Sequence, residues 1–324
     1  MLTLVAWGAA ADRRGERLIM TIGGAGAALC LLAAATGNAL LAGLALLGAG
    51  MFGASVNAAS GRAVMTWFSE GRRGLAMGIR QTATPLGAAL TGAILPIVAI
   101  NQGVPAAFAW LAAVTATVAL AVAIWVKEPP GAIRTTGEHG LLIKDPKLVR
   151  LSVASGLLVV PQFTAAALLV ELLHEHRGVA LGVAAAVFAT AQALGGAGRL
   201  AVGVWSDAVR SRIGPMRVLA VAMACGFVVC ALLDQAPVPV LVAVLVPTAA
   251  LALCWNGLAV TAAGEMAPAG RSGTALGMQN SANYLSATLT PPVAGLVVVH
   301  VSWPAAMVLA AVAAVAARLL LDQP

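Results

Sequence analysis

The sequence predicts an all-α integral membrane protein made of two copies of one helical unit. Three observations carry that expectation. Only 10% of the 324 residues are charged and 60% are hydrophobic, against roughly 25% charged in a soluble domain. The charges fall in short clusters between apolar runs of about 20 residues, the length at which a helix crosses a bilayer. The polar landmarks of the first half return in the second at a nearly fixed spacing. The runs are rich in Ala, Leu and Gly and lack period-two alternation, so they read as helices rather than strands. Frequent Gly and Ala let such helices approach closely in lipid.

Taken in order, Met1 to Ala11 is the stub of a helix, followed by the charged hinge Asp12 to Arg17. Spans follow at Leu18 to Thr36 and Ala39 to about Trp67, then the turn Ser69-Glu70-Gly71-Arg72-Arg73-Gly74. Leu75 to Ile100 reads as a span interrupted by Pro85 and Pro96, because proline lacks the amide hydrogen that a helix interior needs. Val104 to Val126 closes the first half. The polar stretch 127–147, with Pro129-Pro130-Gly131 as a breaker, separates a first bundle, 1–126, from a second, 148–324. The second bundle holds spans at Leu148 to Leu173, Val179 to Trp205, Met216 to Leu233, Val238 to about Met266, Gly273 to Val299 and Trp303 to Leu321. The expectation is ten full spans and one stub.

The repeat is measurable. Gly8 and Asp12 pair with Gly203 and Asp207 at an offset of 195. Beyond a longer second hinge the offset becomes 199, pairing Gly15 with Gly214 and Asn57 with Asn256. The block from Gly74 to Ala83 then aligns with Gly273 to Ala282. Apolar helices match Ala and Leu by chance, but seldom Asn, Gly and amides at one offset. The repeats run in the same direction, as in transporters whose halves are related by an axis along the membrane normal. By this ruler the spans at 148–173 and 179–205 lack full counterparts, so the sequence reads as N-terminally truncated, without one span and most of another.

Lys and Arg set the expected orientation. With the first hinge in the cytoplasm, the turns on that side collect fourteen cations, among them Arg13, Arg14, Arg72, Lys127, Arg210 and Arg271, and the other side holds only Arg177. The net charge of +7 is thus read as this bias and not as nucleic-acid binding. Cys30, Cys225, Cys230 and Cys254 lie inside apolar runs, with no metal-ligand spacing and no disulfide pattern. No nucleophile-base-acid set or phosphate loop is present, so neither an enzyme nor a bound cofactor is expected.

Gly8, Asp12, Arg13, Gly15 and Arg17 resemble the loop signature between helices two and three of the major facilitator superfamily (MFS), with Gly203, Asp207 and Gly214 as its weaker second copy. Trp67-Phe68, Arg72-Arg73-Gly74 and Gly78-Ile79-Arg80-Gln81-Thr82 are similar to bacterial members near the cyanate and nitroimidazole porters. Pro85-Leu86-Gly87 partly matches the fifth-helix antiporter motif, with Thr84 where a Gly is usual. The resemblance implies the MFS fold, two pseudo-symmetric helical bundles, with helices two (partial) to twelve present. It also implies that Asp12 sits near the positive end of the helix beginning at Gly273, with Arg13 or Arg17 facing Glu70. Such contacts would hold one state and break in another; the bland reading is a solvated topology signal.

Ionisable groups within spans are functional candidates by default. Arg62 lies about a turn from the end of its span, where snorkelling to the interface competes with function. Arg80 shares a face with Thr84, as its repeat mates Gln279 and Asn283 share one. Gln192 and Arg199 lie on one stripe of a helix that also carries Asp207. For Arg199 a ligand role and a packing role are both open. Asn57, Asn256 and Gln162 are candidates for a cavity lining, or for interhelical hydrogen bonds. Among acids, Glu171 near His174 and His176 is a candidate proton site, against a wet helix end, and Glu265 lies near an inner helix end.

The function expected is secondary active transport of a small solute by alternating access. Cationic candidates without a mid-membrane acid favour a small organic or inorganic anion, moved with a proton or against another anion. Rival readings are an exporter of hydrophobic drugs with the same fold, and a membrane sensor or non-functional fragment. The expected surroundings are a bacterial-type cytoplasmic membrane.

Overall fold

The computed structural model describes residues 3–128 and 142–322. The breaker Pro129-Pro130-Gly131 and most of the predicted linker lie outside the described residues. Among those described, the regular structure is entirely helical. Among the described residues, ten helices are long and apolar enough to cross a membrane, and a shorter one, α1 (Leu4–Arg14), precedes them. The first five spans are α2 (Glu16–Ala34), α3 (Ala39–Trp67), α4 (Arg73–Gln102), α5 (Val104–Trp125) and α6 (Pro146–Glu171). They are followed by α7 (Leu181–Ala208), α8 (Ile213–Leu232), the pair α9 (Val238–Cys254) and α10 (Asn256–Met266), α11 (Ser272–His300) and α12 (Trp303–Asp322).

Local chemistry sets several of these ends. The Asn38 side chain accepts a hydrogen bond from the Leu41 amide at 3.0 Å and so caps α3. Asp145 caps α6 through the Lys147 amide at 2.9 Å, and Pro146 follows at a position where its missing amide hydrogen costs nothing. Gly15, at φ 91°, makes the turn between α1 and α2, a left-handed conformation that only glycine adopts freely.

The structure corrects one expectation and adds detail to two others. Helix α4 runs unbroken through Pro85 and Pro96, because in a membrane bundle neighbouring groups can satisfy the carbonyls that proline leaves open. The span predicted from Val238 to Met266 is broken at Trp255 into α9 and α10. The helix ending at Glu171 continues for a turn of wider π geometry, Leu172–His176, before reversing.

Element positions follow the repeat closely. At the offset of 199, the starts of α3, α4 and α5 fall on the starts of α9, α11 and α12. The packing repeats as well: α2 lies against α3 and α5, as α8 lies against α9 and α12, while α6 lies along α12. The chain divides into two compact units. Unit 1 comprises Met1–Ser69, Ala83–Lys144 and Ala263–Ser281, and unit 2 comprises Glu70–Thr82, Asp145–Ala262 and Ala282–Pro324. Each unit therefore contains the opening segment of a long helix from the other repeat. The dividing points, after Thr82 and after Ser281, are themselves one repeat apart.

Glycine makes the exchanged segments fit. Within unit 1, a Cβ on Gly273 would lie 2.6 Å from the Gly8 carbonyl oxygen, and one on Gly8 would strike the Gly273 carbonyl. Within unit 2 the mates do the same: a Cβ on Gly203 would lie 2.6 Å from the Gly74 oxygen, and one on Gly74 would lie 2.7 Å from the Gly203 oxygen. Backbone meets backbone at both places, so neither neighbour can yield as a flexible side chain would. Gly8→Ala and Gly203→Ala are each expected to cost about 1–3 kcal/mol through overpacking. Gly43→Ala, with nothing within 4 Å, should stabilise its helix slightly. Unfolding midpoints of the three purified proteins test this contrast, and equal effects at Gly8 and Gly43 would refute it.

Candidate functional site

The hinge residues form two capping sites, one buried and one partly buried. The first turn of a helix has amide hydrogens without partners and carries partial positive charge. At the start of α11, the Gly273 amide donates to Asp12 Oδ1 at 2.8 Å and the Thr274 amide to Oδ2 at 2.8 Å. The Thr274 hydroxyl adds a bond of 2.7 Å to Oδ2. At the start of α4, the Gly74 and Leu75 amides donate to Asp207 Oδ1 and Oδ2, both at 2.9 Å. Each hinge acid thus caps the helix that the repeat assigns to the other half.

The cations that complete these sites differ. Arg62, 1% exposed, places Nε 3.1 Å from Asp12 Oδ1 and Nη1 2.6 Å from Glu16 Oε1. The Thr66 hydroxyl also donates to Glu16 Oε1, at 3.0 Å. Arg62 therefore does not snorkel; it is the buried centre of an acid–base–acid triad. In unit 2 the cation is Arg212. Its Nη1 reaches Asp207 Oδ1 at 2.6 Å and Ser206 Oγ at 2.9 Å, and its Nη2 donates to the Glu70 carbonyl. Arg13 and Arg17 are exposed, and the Glu70 side chain faces Arg73 at 3.8 Å. Residue 62 or 212, not residue 13 or 17, supplies the charge at each hinge. Spacing alone did not signal this, because Arg62 lies 50 residues from Asp12.

A second polar group lies deeper in unit 2. Arg80 donates from Nη1 to Gln81 Oε1 at 3.1 Å, and Gln81 Nε2 donates to Asn256 Oδ1 at 2.7 Å. Arg199 is buried and donates to two backbone carbonyls, Leu253 O at 2.8 Å and Gln81 O at 2.5 Å. Gln162 and Gln192 line one small cavity with Phe188 and Leu253, and Gln162 Oε1 is buried without a partner. Both amide atoms of Gln279 and of Asn283 are also buried without partners, as is Trp255 Nε1. Thr84 is exposed and Asn57 partly buried. The structure thus joins Arg80, Asn256 and Arg199 through Gln81, a residue the sequence reading did not single out. Arg80 and Gln81 are adjacent, and the second entered the sequence reading only as part of the repeat block and of the stretch similar to the cyanate and nitroimidazole porters.

Acids at the other helix ends also pair in ways spacing did not reveal. Glu171 is exposed. His174 and His176 take other partners: His174 faces Glu175 at 3.8 Å, and His176 Nε2 lies 3.1 Å from both oxygens of Asp234. Asp234 is 5% exposed and joins the connection after α8 to the end of the α6 extension.

Comparison with known proteins decides the family. The family model described as Major Facilitator Superfamily matches residues 1–291 and, in a second match, 162–324. The chain belongs to the major facilitator superfamily. It is 36% identical over 322 residues to an uncharacterized MFS-type transporter of Mycobacterium tuberculosis strain H37Rv, covering 98% of this chain and 72% of that protein. The fold is similar to the Escherichia coli fucose:proton symporter FucP, with a TM-score of 0.79 at 14% identity, covering 100% of this chain and 88% of the symporter. It is also similar to the human organic anion transporter MFSD10, with a TM-score of 0.76 at 18% identity, covering 99% of this chain and 80% of that one. The chain is therefore an integral membrane protein with the fold of a secondary transporter, a family of carriers rather than enzymes. It works on a small-molecule substrate in a lipid environment.

The triad gives a direct test of the hinge energetics. Arg62→Leu leaves Asp12 and Glu16 buried without their cation and is expected to cost about 3–5 kcal/mol. Asp12→Asn keeps an acceptor but loses the charge, for about 1.5–3 kcal/mol. Chemical unfolding in detergent measures both. An Arg62→Leu protein as stable as its parent would show that the triad contributes nothing net.

Proposed function

We propose that this protein moves a small organic or inorganic anion across the cytoplasmic membrane by alternating access, with a proton or an exchanged anion as the coupling partner. The observation that carries the reading is the chain from Arg80 through Gln81 to Asn256. It holds a cation within the spans, bonded to the oxygen of a side-chain amide that itself donates to a second amide, at a depth where a charge is costly and is a functional candidate by default. Asn283, Gln279 and Gln162 support it. Buried amides without protein partners require water or a ligand, and amides suit a small polar solute better than a lipophilic cation. Asn57 and Thr84 in unit 1 and Gln192 in unit 2 are the remaining proposed pathway residues, and Glu171 remains the proposed proton group.

In this reading the moving bodies are the bundles 1–126 and 148–324, joined by the linker 127–147, and the hinge turns face the cytoplasm because they collect the Lys and Arg residues. The capping of α11 by Asp12 and of α4 by Asp207 stabilises one state. Gly8, Gly15 and Gly203 allow the close approach and tight turns, Arg13, Arg17 and Glu70 flank the hinge, and opening that end requires both caps to release.

The test uses purified full chain and nitrate, cyanate and benzoate as probes. An anion bound at a hundred times its Kd stabilises the folded protein by about 2.7 kcal/mol, read as a rise in the thermal midpoint. At least one probe is expected to produce that rise, Arg80→Gln to abolish it and Arg80→Lys to retain part of it. A rise unchanged in Arg80→Gln, or one produced by ethidium and by no anion, would overturn the reading in favour of a different site or of a drug exporter.

A further inference from the structure

Arg199 meets two carbonyls, and both lack the donor that an unbroken α-helix would give them. Proline has no amide hydrogen, so Pro85 removes the bond that the Gln81 carbonyl, four residues earlier, would otherwise accept. Arg199 Nη1 donates to that oxygen at 2.5 Å. The second carbonyl, Leu253, stands one residue from the end of α9, where the chain breaks at Trp255. The last carbonyls of a helix have no intrahelical donor and carry partial negative charge. Arg199 Nε donates to this one at 2.8 Å. One guanidinium thereby serves two interruptions in two different helices.

The surroundings agree with that role. Arg199 is 7% exposed, so its charge needs compensation, and its recorded hydrogen-bond partners are carbonyl dipoles, including one at the negative end of α9. The backbones also converge here. A Cβ on Gly78 would lie 2.8 Å from the Arg199 carbonyl oxygen, and one on Gly257 would lie 3.5 Å from the Gly78 nitrogen. Helices α4, α7 and α10 thus meet around Gly78, one turn before the proline-orphaned carbonyl. The residue held by Arg199 through its backbone, Gln81, is the one whose side chain joins Arg80 to Asn256.

We propose that Arg199 is a positioning residue that replaces the hydrogen bond deleted by Pro85 and fixes α4 to the end of α9, so that Arg80, Gln81 and Asn256 are held in register. Arg199 and Pro85 are then one device. Its significance for transport rests on the reading above, but the device itself is testable without it. A planar guanidinium suits the task because its donors diverge at fixed angles, which a lysine ammonium cannot reproduce.

The test is a double-mutant cycle on the purified full chain: parent, Pro85→Ala, Arg199→Gln and the double variant. Alanine at 85 restores the amide hydrogen that Gln81 lacks. Arg199→Gln is expected to lower the unfolding midpoint in the proline background and to lose at least half of that effect in the alanine background. Additive effects would overturn the proposal. Should Arg199→Gln fail to fold alone, recovery of folding in the double variant is the expected result, and failure of both is the overturning one. Arg199→Lys should follow Arg199→Gln in direction.

The second readout is the midpoint rise given by the anion probe. A positioning role predicts that Arg199→Gln reduces the rise and that adding Pro85→Ala restores it, since Arg80 is still present. If Arg199 itself binds the anion, Pro85→Ala cannot restore it. A cycle that couples while no anion shifts any of the four proteins supports the positioning role and refutes the anion reading alone.

Discussion

The exchange of segments between the two compact units traces to one constraint. Two carboxylates, Asp12 buried and Asp207 partly buried, sit at the first turns of helices contributed by the other repeat. A carboxylate out of water is stable only if its oxygens are filled by donors. Asp12 takes two amides, a hydroxyl and a guanidinium, and Asp207 takes two amides and a guanidinium. That demand brings the helix starts to the acids, the approach requires glycine on both sides, and the cations at 62 and 212 balance the charge. The compact units exchange segments at 70–82 and 263–281 for the same reason. The repeat therefore writes one capping arrangement twice, with the acid and amides kept and the cation re-sourced.

The re-sourcing is informative. Arg62 lies within a span and Arg212 lies in a turn, yet each reaches its acid at close to 3 Å or less. The first site adds Glu16 and is almost sealed from solvent, whereas the second shares its arginine with a backbone carbonyl. Two sites with the same caps but different charge balance need not be equally strong. The site with the triad is the more sensitive to loss of its cation, because two acids are stranded instead of one.

Much of this was legible in the sequence. Hydropathy located the spans, since a bilayer leaves few alternatives to a helix, and the repeat ruler placed the starts of α3, α4 and α5 on those of α9, α11 and α12. The hinge acids were readable from the pattern around Asp12 and Asp207, and the helix at Gly273 as the partner of Asp12 from the family resemblance. What was not legible was pairing across long separations. Nothing local marks Arg62 as the partner of Asp12, or Asp234 as the partner of His176, because helix periodicity gives a face and not a neighbour. The two backbone surprises share that cause. Continuity through Pro85 depends on groups from other helices, and the break at Trp255 has no proline beside it. A rule that reads each helix alone errs wherever a neighbouring helix supplies the missing bond.

The exchanged segments also carry a consequence for biosynthesis. The amides that cap Asp12 belong to residues 261 and 262 positions further along the chain, and the acid that caps the start of α4 comes 133 positions after Gly74. The start of α4 cannot be capped until Asp207 has been made, and Asp12 has no helix start to cap until Gly273 and Thr274 have been made. The first bundle must wait in the membrane with Asp12 uncapped until nearly the whole chain has emerged. In that interval Arg62, already synthesised, is the local cation able to shelter it. The triad is then an early partner as well as a final one, holding the acid in place until its distant helix arrives.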